Sequence, residues 1–113
     1  MDEDRILGLL GLAIRAGKAR SGAEVAEQAI RNGKAKLLVY DAAISSASKK
    51  VWLALCEKHG VKSLMLAEHN AVERMTGKSM RKVLVILDQG FANMIDKAIP
   101  KNQMSRGANA QDE

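Results

Sequence analysis

The amino-acid sequence predicts an α/β fold, a three-layer α/β/α sandwich, and three observations carry that prediction. Apolar runs of strand length recur at residues 35–40 (AKLLVY), 61–67 (VKSLMLA) and 82–87 (KVLVIL), nearly continuous rather than alternating, as strands covered on both faces require. Segments with helical apolar spacing separate these runs. The chain of 113 residues suits one domain and is short for two. The expected organisation is one domain over residues 1–100 and a disordered tail over 101–113, a stretch without apolar periodicity (KNQMSRGANAQDE).

In chain order, Ile6, Leu7, Leu9, Leu10, Leu12, Ala13 and Ile14 form a wide stripe that predicts a mostly buried helix over 4–16, stopped at Gly17. Residues 18–21 form a very short extended piece, the weak fourth strand. Ser21-x-x-Glu24 carries a capping-box signature, in which hydroxyl and carboxylate each satisfy an orphan amide. The helix it starts runs to about Asn32 and stops at Gly33. After the 35–40 strand, Ser45 or Ser46 caps a third helix, with Val51, Trp52, Leu55 and Cys56 on its inner face, ending near Gly60. The 61–67 strand leads into a short helix over 68–75, closed by Gly77. After the 82–87 strand, Gln89-Gly90 turns into a last helix that ends before Pro100.

Little in the sequence points to catalysis. Cys56 is the single cysteine, which excludes an internal disulfide framework and a Cys-rich zinc site; its position on an apolar helix face reads as a packed thiol rather than a nucleophile. His59 and His69 stand alone, with no ligand at metal spacing, so neither metal nor cofactor is expected. GxGxxG, GxxxxGK[ST] and GxSxG are all missing. Asp41 and Asp88 lie at strand C-termini, where α/β active sites form, but Asp88 opens a Gly-turn-helix (DQGFA) and reads better as a helix cap. An enzyme using Asp41, Asp88 or Cys56 is the weakest of three functional readings. No apolar run approaches the ~18–20 residues of a membrane span. The N-terminus is acidic where a secretory signal is basic, so the expected location is the cytoplasm, away from membranes.

Charge points to a partner. The formal net charge is +5, yet five of the thirteen acids sit in the tails (Asp2, Glu3, Asp4, Asp112 and Glu113), so residues 5–111 carry eighteen cations against eight acids. Such a body attracts polyanions, because each phosphate neutralised by Lys or Arg releases a counterion. Arg15, Lys18 and Arg20 precede the second helix, while Arg31, Lys34 and Lys36 cluster at its far end; Lys78, Arg81 and Lys82 enter the last strand. The helix start (RSGAEV) offers free amides and a positive dipole end to an anion, with no side chain at Gly22 to block close approach. Aromatics are 3% of the chain, too few near these clusters to stack splayed bases, so shape reading of a folded RNA fits better than single-strand recognition.

The stretch GLLGLAIRAGKARSGAEVAEQAIRNGKAKLLV, followed by VLVILDQGFA near the end, resembles the bacterial YlxQ-type branch of the L7Ae/L30e ribosomal protein family, over about residues 5–98. The resemblance implies an α/β/α sandwich with a four-stranded mixed sheet and binding to kink-turn RNA. Gly22 matches the family's glycine at the start of the RNA-facing helix. Where kink-turn binders of the family have Asn-Glu and then Lys one turn on, this sequence has Glu24, Val25 and Gln28. Ala42 and Ala43 replace a Glu-Asp pair, and His69 replaces a lysine facing the flipped-out base. In the loop before the last strand Ser79 matches, while Lys78 and Met80 replace an apolar residue and an arginine.

These observations lead to the expectation of a non-catalytic RNA-binding protein, ribosomal or ribosome-associated, with structured RNA as partner and no DNA. Gly22 and Ala23 present backbone amides, Glu24 and Gln28 meet base edges, and Lys18, Arg20, Lys34 and Lys36 flank them on phosphates. Lys78, Ser79, Met80 and Arg81 form a second wall, with Met80 placed to pack on an unstacked base. Two readings stay open for Glu24, a capping-box acid or an acceptor for a guanine edge. The rival from another class is a protein-interaction scaffold of the same fold, ribosomal proteins among its partners.

Overall fold

The computed structural model describes residues 2–99, without the side chain of Asp2; the expected tail at 101–113 lies outside them. Five helices and four strands follow in the order α1 (Asp2–Arg15), β1 (Ala19–Ser21), α2 (Ala23–Arg31), β2 (Leu37–Asp41), α3 (Ser46–His59), β3 (Ser63–Leu66), α4 (Ala71–Thr76), β4 (Val83–Ile86) and α5 (Gln89–Ala98). The strands form one mixed sheet in the order β1-β4-β2-β3. β2 and β3 run parallel, and β4 runs antiparallel to β2 and β1.

The continuous apolar runs are explained by two cores, one on each face. Leu37 and Val39 of β2 and Leu84 and Ile86 of β4 pack with Ile6, Leu10 and Ala13 of α1, Val72 of α4 and Ile95 of α5. The alternate residues, Leu38, Tyr40, Val83 and Val85, pack with Ala26 and Ile30 of α2 and Cys56 of α3. Helices α1, α4 and α5 therefore cover one face and α2 and α3 the other, as a three-layer sandwich demands. Among the described residues no helix is long and apolar enough to cross a membrane.

Two local expectations are corrected. Ser21 does not cap α2: it is the last residue of β1, paired with Leu84, and the cap position falls to Gly22 with no side-chain hydrogen bond. Strand pairing with β4 takes the residue that the local signature assigns to a cap. In α3, Val51 does not face inward; it is 67% exposed, and Leu53 packs against the core in its place, beside Trp52 and Leu55. Elsewhere the elements are shorter than the apolar runs, since Val61 and Leu87 pack on the core from just outside their strands. Ser45 caps α3, accepting from the Ser48 amide at 3.1 Å, and Asp88 caps α5, accepting from the Phe91 amide at 2.9 Å.

Candidate nucleic-acid interface

Strand directions decide which residues can meet. β1, β2 and β3 all end where β4 begins, so one pole of the sheet gathers the β1–α2, β2–α3, β3–α4 and α4–β4 connections. The opposite pole gathers the α1–β1, α2–β2, α3–β3 and β4–α5 connections.

At the first pole, Gly22 turns the chain from strand to helix with φ 111°, a region that favours glycine. Its amide donates to the Val83 carbonyl at 3.1 Å and its carbonyl accepts from Ala26 at 3.0 Å. The missing Cβ has a second use. Arg81 lies across this spot, its Nη1 donating to the Ser21 carbonyl at 3.1 Å, and a Cβ on Gly22 would collide with that guanidinium. The amides of Ala23, Glu24 and Val25 have no acceptor within the helix. All three residues are exposed, so the opening of α2 is a set of free donors with an arginine fixed beside it. Glu24 forms no capping box and makes no hydrogen bond to another described residue, which leaves its carboxylate free as an acceptor.

The α4–β4 connection forms the facing wall. Met80 has φ 66° and is 82% exposed, its amide donating to the Glu73 carboxylate. A left-handed conformation at an unbranched, non-glycine residue is strained and needs outside support, which the Glu73 bond supplies. Thr76 steadies the same turn, accepting from the Lys78 amide at 3.3 Å while donating to the Val72 carbonyl at 2.8 Å. Lys78 and Ser79 are exposed on it. Asp41 holds the pole together from inside. Fully buried, its carboxylate accepts from the Ala43 and Val72 amides, both at 2.9 Å, and so ties the β2–α3 loop to α4. That engagement makes Asp41 a structural anchor of the pole.

Between the two walls lies a cleft of about 280 Å³, bordered by Ala23, Ala43, Ile44, Ser45, Met80 and Lys82. Ile44 and Ser45 are absent from the contact residues expected from sequence, and Lys82 enters there only as a member of the second basic cluster. The usable signal was positional: Ile44 and Ser45 follow the end of β2, which the sheet brings beside the start of β4. His69 lies on a separate shallow depression with Asn70, Gly77 and Lys78.

The structure does not bring all twelve expected contact residues together. Gly22, Ala23, Glu24, Lys78, Ser79, Met80 and Arg81 share the first pole, and Gln28 is exposed one turn further along α2. Arg20 is exposed on the edge strand between the poles, opposite Val85. Lys18, Lys34 and Lys36 stand at the other pole. The Lys18 carbonyl accepts from Leu87, and the Lys36 amide donates to Ile86, both at the far end of β4. Cys56 is buried, and burial pushes its thiol from 9.0 up to about 11, far from the reactive thiolate range.

Comparison with known proteins agrees with this architecture. The RNA-binding protein YlxQ of Bacillus subtilis (strain 168) is 37% identical over 87 residues, 77% of this chain and 87% of that protein. The RNA-binding protein YlxQ of Enterococcus faecium is 34% identical over 98 residues, 87% of this chain and 94% of that one. A solved structure of a Bacillus halodurans C protein of unknown function superposes with a TM-score of 0.75 at 28% identity, covering 82% of this chain and 94% of that one. The Giardia lamblia 15.5kD RNA binding protein shares the fold, with a TM-score of 0.67 at 19% identity over 88% of this chain and 92% of that one. A match to the ribosomal protein L7Ae/L30e/S12e/Gadd45 family spans residues 4–95, and the chain belongs to that family.

Proposed function

We propose that this chain is a non-catalytic, cytoplasmic RNA-binding protein that grips a sharply bent, kink-turn-like RNA at the α2 pole. The observation that carries the reading is the pairing of the open α2 amides with Arg81, fixed on the Ser21 carbonyl over a glycine. In this reading the amides of Ala23, Glu24 and Val25 and the remaining N–H groups of Arg81 hold phosphate oxygens, donors that need no rearrangement on binding. Lys78 lies on the flanking phosphates. Glu24 and Gln28 meet base edges, and Met80, presented outward by its left-handed backbone, packs on an unstacked base over the cleft. The names of the YlxQ relatives support RNA as the partner class. Ribosomal RNA is the expected source, by analogy with the family's ribosomal members.

Ala43 and Ile44 give the cleft an apolar wall, and Ala43 is one of the two positions, with Ala42, where the kink-turn resemblance expects acidic residues. Shape and phosphate contacts therefore carry more of the recognition than base edges do, at a loss of ~1–3 kcal/mol of discrimination for each missing bidentate contact. The same apolar wall favours the scaffold reading, in which the cleft takes a protein side chain. Fluorescence anisotropy against kink-turn and straight duplex RNAs, across salt, tests the proposal. Tighter binding of the bent RNA, with affinity that falls as salt rises, is expected. Equal, feeble, salt-independent binding to both removes it, and a protein partner that survives ribonuclease treatment establishes the scaffold.

A further inference from the structure

Three lysines at the opposite pole, two of them expected contacts and the third Lys62, have a common setting. β1 is preceded by Lys18, β2 by Lys36 and β3 by Lys62, and backbone hydrogen bonds fix all three on the same end of the sheet. The Lys18 carbonyl accepts from Leu87 at 2.8 Å, the Lys36 amide donates to Ile86 at 2.7 Å, and the Lys62 carbonyl accepts from Leu38 at 2.9 Å. Neighbouring strands lie ~4.8 Å apart, so the row from Lys18 to Lys62, across the order β1-β4-β2-β3, is about 14 Å long. Lys34 adds a fourth cation in the turn before β2.

Among the described residues, the acids near this row other than Glu57 are engaged. Asp96 pairs with Lys62 at 3.4 Å and Asp88 is the cap of α5, while Arg31, at the end of α2, is neutralised by Glu27 at 2.9 Å. Glu57, in the last turn of α3, is the remaining acid on the connections at this pole, and Lys58 follows it directly. Lys18, Lys34 and Lys36 are exposed and form no ion pair with a described residue. Beside Lys36 and Lys62 opens a cleft of about 370 Å³ whose rim carries His59, Gln89, Asn93 and Asp96, with the Gln89 side-chain amide donating to Asn93 at 3.0 Å.

We propose that this pole is a second RNA-contact surface, which takes the phosphate backbone of a separate duplex segment while the α2 pole holds the bent RNA. The unpaired cations of this row are, among the described residues, exposed lysines, and flexible lysines spaced along a row suit sequence-independent backbone contact. The described body measures 35 × 30 × 26 Å, so the two poles face away from each other and can serve two segments at once. The proposal rests on reading the chain as RNA-binding but not on the α2 pole being selective for a kink-turn.

The experiment uses the full chain saturated with unlabelled kink-turn RNA, to which a labelled straight RNA duplex is added. A ternary complex is expected. Lys34→Glu/Lys36→Glu is expected to weaken duplex capture by about ten-fold or more and to leave kink-turn affinity within about two-fold, whereas Lys78→Glu does the reverse. Exclusion of the duplex from the loaded protein, or equal capture by the wild type and Lys34→Glu/Lys36→Glu, overturns the proposal. So does tighter binding of polyglutamate than of duplex, which would assign the pole to acidic proteins. If the double charge reversal lowers the melting temperature, Lys34→Gln/Lys36→Gln gives the same comparison without added acids. Kink-turn RNA bound no tighter than duplex defeats the α2-pole reading alone, and the second surface is then judged on duplex binding by the lysine variants.

Discussion

The two poles of the sheet carry cations in different ways. At the α2 pole the backbone amides and Arg81 are held in place by Gly22 and the Ser21 carbonyl, on walls braced by the Glu73 carboxylate and the buried Asp41, with Lys78 and Lys82 beside them. At the lysine pole the backbone is equally fixed, but the charges ride on long exposed side chains that keep their rotamer freedom until something binds. The first arrangement has lost its entropy during folding and can discriminate shape. The second loses entropy on binding and reads only charge density. Counting charges alone would not separate them, since exposed lysines stand at both ends.

Substitutions sharpen this contrast, starting with the anchor. Asp41→Ala leaves two amides without their acceptor, one of them on the buried Val72, and is expected to destabilise the protein by about 3 kcal/mol in urea denaturation. Gly22→Val places a branched side chain at a positive φ and against Arg81; a loss of about 2 kcal/mol is expected, with kink-turn binding falling at least as far. Equal stability of this variant and the wild type would mean that the close approach of Arg81 is not maintained in solution. Arg81→Ala separates binding from folding. About ten-fold weaker RNA affinity is expected in anisotropy, against a stability change of ~1 kcal/mol for the one hydrogen bond lost. The smallest stability effect belongs to Lys34→Gln/Lys36→Gln, within ~0.5 kcal/mol by thermal melting. The same pair should flatten the salt dependence of duplex binding by roughly 0.7–0.9 per lysine, a change that Arg81→Ala should not reproduce at the lysine pole.

The sheet and its layers are legible in the sequence because strands buried on both faces have almost no freedom of composition: KVLVIL and AKLLVY fit few other settings. Helix α3 shows the limit. Val51, Trp52, Leu53, Ala54, Leu55 and Cys56 make six consecutive apolar positions, and periodicity cannot select which of them turns outward. The cap of α2 failed for a different reason. Ser21 satisfies a local rule, but its place is set by a partner sixty-odd residues away, Leu84. The division of the lysines was in principle readable. Cations before and after a nine-residue helix are separated by about 14 Å of rise, and a chain that alternates strand and helix changes pole with every element. By contrast, the meeting of Gly22 with Arg81 depends on the pairing of β1 with β4, which no short window contains.

That pairing gives the α2 opening an unusual foundation. β1 has three residues and lies at the edge of the sheet, bonded to β4 on one side only, and Ser21, its last residue, supplies the carbonyl that orients Arg81. Short edge strands fray more readily than central ones. Any ligand that clamps Arg81 against the opening of α2 must therefore also slow the fraying, so occupancy should appear as slower amide exchange along Ala19–Ser21, a segment that the bound molecule need not touch.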